Sequence, residues 1–366
     1  MIFAEHRDKT FPIGLDIGFN AIRMIQVAQG EEGYYVRAAD EVRCDGEPGT
    51  DVEQRDALAV EAIRQMLARS DFRRREAVSC LPNDALKIKS LRLDTIDPPR
   101  IRQFIHDEVA HHFGLDGDRD EIRYLIAGNV HQGDEIKNEV IFFGTDHVTV
   151  ERHLALLDRS GLTPVSLDAI PCALFRSFQV SHRRQEDRQL VSVFVDVGSL
   201  YTTVIIGRGS EVAFIKQIPI AGRQLNEDVA AALGISVAEA GLMRVKLQMG
   251  GSESVDPATC QAIIDAMSRT IEDLAREVAL CFRYYAVTFR GQRPEEMIFS
   301  GREAREVTLL NALRRHLAVE IRLAQLLRGF DLSRVDLGRA EQDELNEWAV
   351  AVGLSIKGQE LVPCRV

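Results

Sequence analysis

Ile13-Gly14-Leu15-Asp16-Ile17-Gly18-Phe19-Asn20-Ala21-Ile22-Arg23-Met24-Ile25-Gln26-Val27 and Val193-Phe194-Val195-Asp196-Val197-Gly198-Ser199-Leu200-Tyr201-Thr202-Thr203-Val204-Ile205-Ile206 are two copies of one pattern, 180 residues apart. Each is an apolar run, then Asp-x-Gly, then a short turn, then a second apolar run. Apolar runs bounded by turn residues predict buried strands. A glycine-containing turn follows each copy, near Gly30 and Gly33 in the first and at Gly207 and Gly209 in the second, and a further strand follows in both. Glycine lets the backbone turn tightly and come close to a ligand, and the Asp carries a carboxylate to the same place. Two such hairpins set face to face would line a cleft with backbone N–H groups and two carboxylates, Asp16 and Asp196. That suits a nucleotide, because N–H donors neutralise phosphate oxygens and carboxylates hold the water shell of magnesium. One Asp-x-Gly alone reads more readily as an ordinary hairpin turn. Two in matching contexts predict a duplicated architecture.

Composition narrows the classes. The chain has 366 residues, enough for two or three domains or one large two-lobed fold. With 45 basic and 56 acidic side chains the net charge is −11, which argues against a general nucleic-acid binder. The basic runs Arg73-Arg74-Arg75 and His182-Arg183-Arg184 read as solvated loops. No window approaches the ~18 continuous apolar residues of a membrane-spanning helix. Residues 1–10 lack the apolar core of a signal peptide. The cysteines at 44, 80, 172, 260, 281 and 364 show no Cys-x-x-Cys spacing and read as reduced thiols of a cytoplasmic protein. His106, His111 and His112 include no i,i+4 pair, so they read as a solvated helix face and not as a metal site.

Along the chain, the first hairpin and a third strand near 34–44 lead to a loop at 45–54, a helix at 55–69 and a strand at 77–81 that Pro82-Asn83 stops. Residues 84–160 follow a strand–helix–strand–strand–helix order, with Gly133-Asp134 as a hairpin turn, which predicts a small α+β unit inserted in the first lobe. Residues 181–189 hold no aliphatic side chain and read as a linker. Beyond the second hairpin come helices at 224–233, 237–248 and 258–289, a strand at 296–300 ending at Gly301, a helix to about 317, and a final helix near 341–356 that contains Trp348, the only tryptophan.

The paired Asp-x-Gly hairpins, Ile218-Pro219-Ile220-x-Gly222, and a strand running into Ser300-Gly301 ahead of a helix resemble the actin-like fold of sugar kinases and heat-shock ATPases. Within that superfamily the chain is similar to the type IV pilus assembly protein PilM family, relatives of the cell-division protein FtsA, over nearly its whole length. Leu81-Pro82, the helix containing Glu108, Gly161-Leu162-Thr163-Pro164-Val165 with Asp168, and 349–354 fall in the family's order. The resemblance implies an α/β, bilobed actin-like fold built on a duplicated ribonuclease H-like unit. Its parts are lobe one at 1–83, the inserted α+β subdomain at 84–160, a return and linker at 161–190, lobe two at 191–340 with a helical subdomain at about 236–290, and a C-terminal segment at 341–366 returning to lobe one. It implies a nucleotide site of Asp16, Gly18, Asn20 and Arg23 from the first hairpin and Asp196, Gly198, Thr202 and Thr203 from the second. Gly222, Arg244, Ser300, Gly301 and Arg302 complete it, with Glu108 as the catalytic position and Asp16 and Asp196 holding magnesium through water.

The ligand chemistry departs from the family's pattern. The first phosphate loop of the family reads Asp-Ile-Gly-Ser-Ser-Ser-Val-Lys; here Phe19, Asn20 and Ala21 replace the hydroxyls and Arg23 the lysine. Leu200 and Tyr201 stand where Gly and Thr are expected, and Gly241 stands where the Ala-Glu-x-x-Lys helix has its acid. Ser300-Gly301-Arg302-Glu303 has one glycine where the adenosine motif has two or three. The expectation is therefore that ATP with magnesium binds weakly or not at all. Asp16 and Asp196 also read as turn residues bonding nearby backbone amides.

The function implied is a cytoplasmic scaffold of a type IV pilus or related secretion machine, recruited to the inner membrane without inserting in it. Its partner would be the cytoplasmic tail of a bitopic inner-membrane protein (PilN-like), with pilus motor ATPases as further partners and no nucleic acid. The alternatives are an ATPase whose nucleotide state controls partner binding, discriminated by measured ATP binding, and an FtsA-like filament protein. The latter carries a linker and a membrane-binding helix after the fold, whereas this sequence stops at Val366 soon after its last predicted helix. No sugar-binding motif supports a sugar kinase.

Overall fold

Each copy opens its own five-stranded sheet, and the two sheets have the same topology. The first gives β1 (Lys9–Ile17) and β2 (Ala21–Gly30), which pair antiparallel and are continued by β3 (Gly33–Arg43). On the other side of β1, β4 (Glu76–Leu81) and then β8 (Thr163–Ala169) add in parallel, so the order is β3-β2-β1-β4-β8. The second gives β9 (Val191–Val197), β10 (Thr202–Arg208) and β11 (Glu211–Ile218), with β12 (Glu296–Ser300) and β13 (Glu320–Leu323) parallel beyond β9, in the order β11-β10-β9-β12-β13. The likeness extends to register. Asp16 pairs with Arg23 and Asp196 with Thr203; Gly18 N donates to Ala21 O at 3.0 Å and Gly198 N to Tyr201 O at 3.1 Å. The computed structural model describes residues 8–44, 51–94, 96–132, 135–180, 191–248, 255–289, 294, 296–335 and 342–359. The stretch 181–189, the turn Gly133-Asp134, most of the loop 45–54 and the segment 360–366 lie outside the described residues.

The chain divides into two compact units, 1–126 with 140–185 and 325–366, and 127–139 with 186–324. In the first, β2 is buried on both faces because the sheet is covered on both sides. One face holds Ile13, Leu15, Ile22 and Met24 against Ala59, Ile63 and Met66 of α1 (Val52–Arg69) and Leu156 and Leu157 of α4 (His147–Arg159). From sequence order α4 reads as the last element of the inserted unit. In the fold its apolar side packs on α1 and β8, so it belongs to the main core of its unit. His153 Nε2 reaches Ser79 Oγ at 3.0 Å, and Ser79 Oγ donates to Leu15 O, which ties α4 through β4 to β1. The other face is covered by α5 (Ile170–Gln179) and α10 (Ala349–Ser355).

The chain returns to this unit earlier than position 341. Val36 N donates to Asp331 O at 2.9 Å and Asp331 N to Tyr34 O at 3.0 Å, extending the sheet past β3. Phe330 packs on Tyr34, and the Arg334 guanidinium lies 3.8 Å over the Tyr35 ring. An edge strand with unpaired backbone groups is thereby covered.

A separate three-stranded sheet, β5-β7-β6, is made by β5 (Lys87–Leu93), β6 (Glu121–Gln132) and β7 (Glu135–Thr145). It packs on α2 (Pro98–Phe104), a π-helical turn (Ile105–Val109) and α3 (Ala110–Phe113), around Leu93, Ile101, Val109, Phe113, Ile122, Val140 and Phe142. Gly114 at φ 63° ends this helical run.

In the second unit one core joins β9 to β12 with α6 (Gly222–Leu233), α7 (Val237–Gln248), the long α8 (Pro257–Phe289) and α9 (Val307–His316). Ile271, Leu274, Val278 and Tyr285 form the buried stripe of α8, as their helical spacing predicts. Among the described residues no helix is long and apolar enough to cross a membrane.

Candidate functional site

Each unit carries one of the hairpins, and Arg23 of the first and Asp196 of the second are engaged within their own units. In the first, Asp16 is 8 % exposed at the end of β1. Burial pushes its carboxyl up to about 6; Arg23 opposes the shift and Glu347 adds to it. Arg23 pairs with Glu41 at 2.6 Å and with Glu347. The guanidinium that stands for the family's lysine is thus already matched by two carboxylates of its own unit. Gly18 closes the turn through its N–H, and the Asn20 carbonyl accepts from Cys44 N at 2.9 Å. Glu108 lies on the π-helical turn beside the small sheet and is exposed.

A folded-state Asp16 that titrates near 6, against an ordinary value of 3.8, binds more protons than the unfolded chain between those values. Its contribution to stability is therefore lost as pH rises through about 6. His153 has the opposite sign: burial lowers it to about 4, so stability is lost as pH falls from its ordinary 6.5. Asp16→Asn is expected to stabilise the first unit by about 1–2 kcal/mol at pH 8 and to be neutral near pH 4. Urea midpoints read from Trp348 fluorescence at the two pH values test this. A variant less stable than wild type at pH 8 would show that the ionised carboxylate is well solvated or well paired.

In the second unit, strand ends and helix starts bring the predicted residues together. Asp196 accepts from Ser300 Oγ at 2.7 Å, across the parallel pair β9–β12. Gly198 N is used by Tyr201 O at 3.1 Å, and Gly222 N and Arg223 N, which open α6, donate to Gly198 O at 3.1 Å and Ser199 O at 2.8 Å. Thr202 Oγ1 donates to Ile220 O at 2.6 Å, Thr203 is buried, and Arg302 is half-buried. Gly301 sits at φ 90°, and a β-carbon there would stand 2.7 Å from the Val197 carbonyl carbon, so the turn after β12 is pressed onto the end of β9.

Arg244 does not project into open space. It lies in a buried knot with Glu303 and Glu306, where the side chains of Arg244 and Glu303 are each 3 % exposed. Its Nη1 donates to Asn226 Oδ1 at 2.7 Å and to Gly222 O at 3.2 Å, while Nη2 serves Glu303 and reaches Glu306 at 3.3 Å. Gln248 Nε2 donates to both carboxylates at 3.2 Å. Sequence reasoning named Arg244 but missed Glu303, Glu306, Gln248 and Asn226. The signal available was the burial expected of Arg244 on α7, since a buried guanidinium requires acids.

The fit of a nucleotide to this set can be judged directly. Four backbone N–H groups at the turn and helix start, those of Gly198, Gly222, Arg223 and Glu303, donate to carbonyls of the same unit. The one guanidinium of the knot faces two carboxylates, and a β-carbon on Gly222 would overlap Glu303 Oε1. As arranged, these residues do not fit a phosphate group. Among the described residues no group of three His, Cys, Asp or Glu side chains could hold a metal ion.

Comparison with known proteins agrees with the duplicated fold. Residues 14–359 match the family described as type IV pilus assembly protein PilM. Among solved structures, the chain is similar to one in the PilM-PilN type IV pilus biogenesis complex at 20 % identity and TM-score 0.77, covering 95 % of this chain and 98 % of that one. It is also similar to the ethanolamine utilization protein EutJ from Carboxydothermus hydrogenoformans, at 14 % identity and TM-score 0.56, covering 95 % of this chain and 90 % of that one. The fold is the α/β actin-like ATPase fold. With nearly its whole length matched, the chain belongs to the type IV pilus assembly protein PilM family.

Proposed function

We propose that the protein is a cytoplasmic scaffold of a type IV pilus or related secretion machine, recruited to the inner membrane by the cytoplasmic tail of a bitopic, PilN-like partner. The observation that carries this reading is the family match over residues 14–359. Likeness to a protein solved in a PilM-PilN complex supports the partner class. The scaffold works as a rigid body that recognises the tail and bridges it to cytoplasmic components such as motor ATPases. Nucleotide binding is weak or absent, because the N–H groups of Gly198, Gly222, Arg223 and Glu303 and the buried Arg244 guanidinium are engaged by carbonyls and carboxylates of their own unit. A lost hydrogen bond costs about 1–1.5 kcal/mol net, so two or three together weaken a site by about one to three powers of ten.

The test pairs two titrations on one preparation. A synthetic peptide of the partner's cytoplasmic tail is expected to bind in isothermal titration, with Mg-ATP giving no saturation at millimolar concentration. Asp196→Ala should leave tail binding unchanged. Absence of tail binding would remove the scaffold reading. A low-micromolar Mg-ATP constant, with hydrolysis abolished by Asp196→Ala and reduced by Glu108→Ala, would instead favour an ATPase. Asp16 and Asp196, kept in matching register, are the observation behind that second reading.

A further inference from the structure

We infer that Glu303 is a built-in occupant of the second unit's anion seat, clasped by Arg244, and that its removal reopens the seat to an adenine nucleotide. The inference rests on the reading above that the wild-type site does not take nucleotide, and it names the group that closes it.

The seat is defined by three elements of one unit. The turn between β9 and β10 supplies Gly198 and Ser199, the first turn of α6 supplies Gly222 and Arg223, and α7 supplies Arg244 and Gln248. Gly222 N and Arg223 N at the start of α6 already serve Gly198 O and Ser199 O, so the donors that meet an anion here are the side chains of Arg244 and Gln248. The anion they hold is the chain's own. Gly301 pressed on Val197, together with Glu303 N donating to Val197 O at 3.3 Å, directs the Glu303 side chain toward Gly222. Its carboxylate leaves no room for a β-carbon on Gly222 and is itself 2 % exposed as a residue. From the α7 side, Arg244 and Gln248 Nε2 hold it by charge-assisted and neutral hydrogen bonds.

Structural need does not account for Glu303. Arg244 already has a second acid in Glu306, a side-chain acceptor in Asn226 and the Gly222 carbonyl. With Glu303 deleted, one guanidinium faces one carboxylate, a balanced buried pair. With Glu303 present, the knot carries one net negative charge in a buried place, an arrangement that disfavours a second anion. Glu303 therefore excludes by volume and by charge. An incoming phosphate would meet the same Arg244 donor that now serves Glu303.

The test is a gain of binding. Wild type, Glu303→Ala and Glu303→Gln are titrated with Mg-ADP, Mg-ATP and inorganic pyrophosphate by calorimetry. Wild type is expected to show no saturation. Glu303→Ala should bind at least ~tenfold more tightly than wild type. The isosteric Glu303→Gln, which keeps the volume and removes the charge, should gain far less than Glu303→Ala. Pyrophosphate alone reports the anion seat; a further gain with ADP reports the adenosine side. Glu303→Asp, shorter but still paired with Arg244, gives a second, smaller opening should the alanine variant fold poorly. If Glu303→Ala has a native thermal transition and binds no better than wild type, or if wild type binds as tightly as the variant, the inference is wrong. Tail-peptide binding is measured on the same proteins. Its loss in wild type would count against the scaffold reading alone, and a missing gain in folded Glu303→Ala against the occupant alone.

Discussion

Gly353→Val is expected to unfold the first unit, lowering its stability by about 4 kcal/mol or more. All of α10 is buried between α5 and the sheet. At Gly353 its backbone lies against that of Ala173, and a β-carbon there would stand 3.0 Å from the Ala173 Cα and closer still to its carbonyl group. The contact is backbone to backbone, so no side chain can rotate aside. Gly14 makes the reciprocal approach on β1, where a β-carbon would stand 2.5 Å from Ser355 N. The polar groups of the helix end depend on the same closeness. Arg176 Nη1 donates to Gly353 O at 2.6 Å, Val27 N donates to Ser355 Oγ at 3.1 Å, and Ser355 Oγ donates to Pro12 O at 2.8 Å. Pushing α10 out by the width of an isopropyl group breaks these bonds and opens the sheet face. Trp348, the only tryptophan, is 8 % exposed at the start of α10 and reports its detachment by fluorescence. The control is Leu58→Ala on the exposed face of α1 in the same unit, 58 % exposed, expected within about 0.5 kcal/mol of wild type. A Gly353→Val midpoint equal to that of wild type would mean that α10 is not seated on the sheet as described.

The strands of the two hairpins were legible because burial leaves long apolar runs, and a run repeated with its Asp-x-Gly turn declares a duplication; β13, a four-residue edge strand with alternate residues exposed, was not. The β5-β7-β6 sheet was legible for a similar reason, since alternation and turn residues are local signals. What was not legible depends on partners distant in sequence. The first hairpin gives no sign that Arg23 is claimed by Glu347, 324 residues later. Likewise α7 gives none that Arg244 meets Glu303 and Glu306, 59 and 62 residues away. The packing of α4 was hidden because chain order placed it after the small sheet, while its apolar side matches α1. The early return of the chain at Asp331 was hidden because it is made by backbone hydrogen bonds, which leave no residue-type signature. Departure from the family's motifs could be read from residues such as Phe19 and Leu200. The pairing of Arg244 with internal carboxylates could not.

Arg244→Met is expected to be the most damaging single change in the second unit, at about 3–5 kcal/mol. Removing the guanidinium leaves Glu303 and Glu306, 2 % and 7 % exposed, without the cation both of them face. It also strips Asn226 Oδ1 and the Gly222 carbonyl of a donor. Gln248 alone cannot offset two buried charges. Adding Glu303→Gln and Glu306→Gln to Arg244→Met removes the orphaned charges and is expected to recover most of the loss, since a buried ionic group is costly chiefly when half of it is missing. The units need not melt together, so the measurement is hydrogen exchange along α7 and α8 and not a single midpoint. Arg223→Ala gives the scale for a more exposed pair: its partner Glu227 lies one helical turn away and its loss should cost about 0.3–0.5 kcal/mol. If Arg244→Met costs no more than Arg223→Ala, water reaches the knot. The site would then be open to solutes, and the occupant inferred for Glu303 would be a surface side chain with no power to exclude anything. A large loss with recovery in the triple variant instead identifies a closed, dry ionic cluster, which is the condition that the role inferred for Glu303 requires.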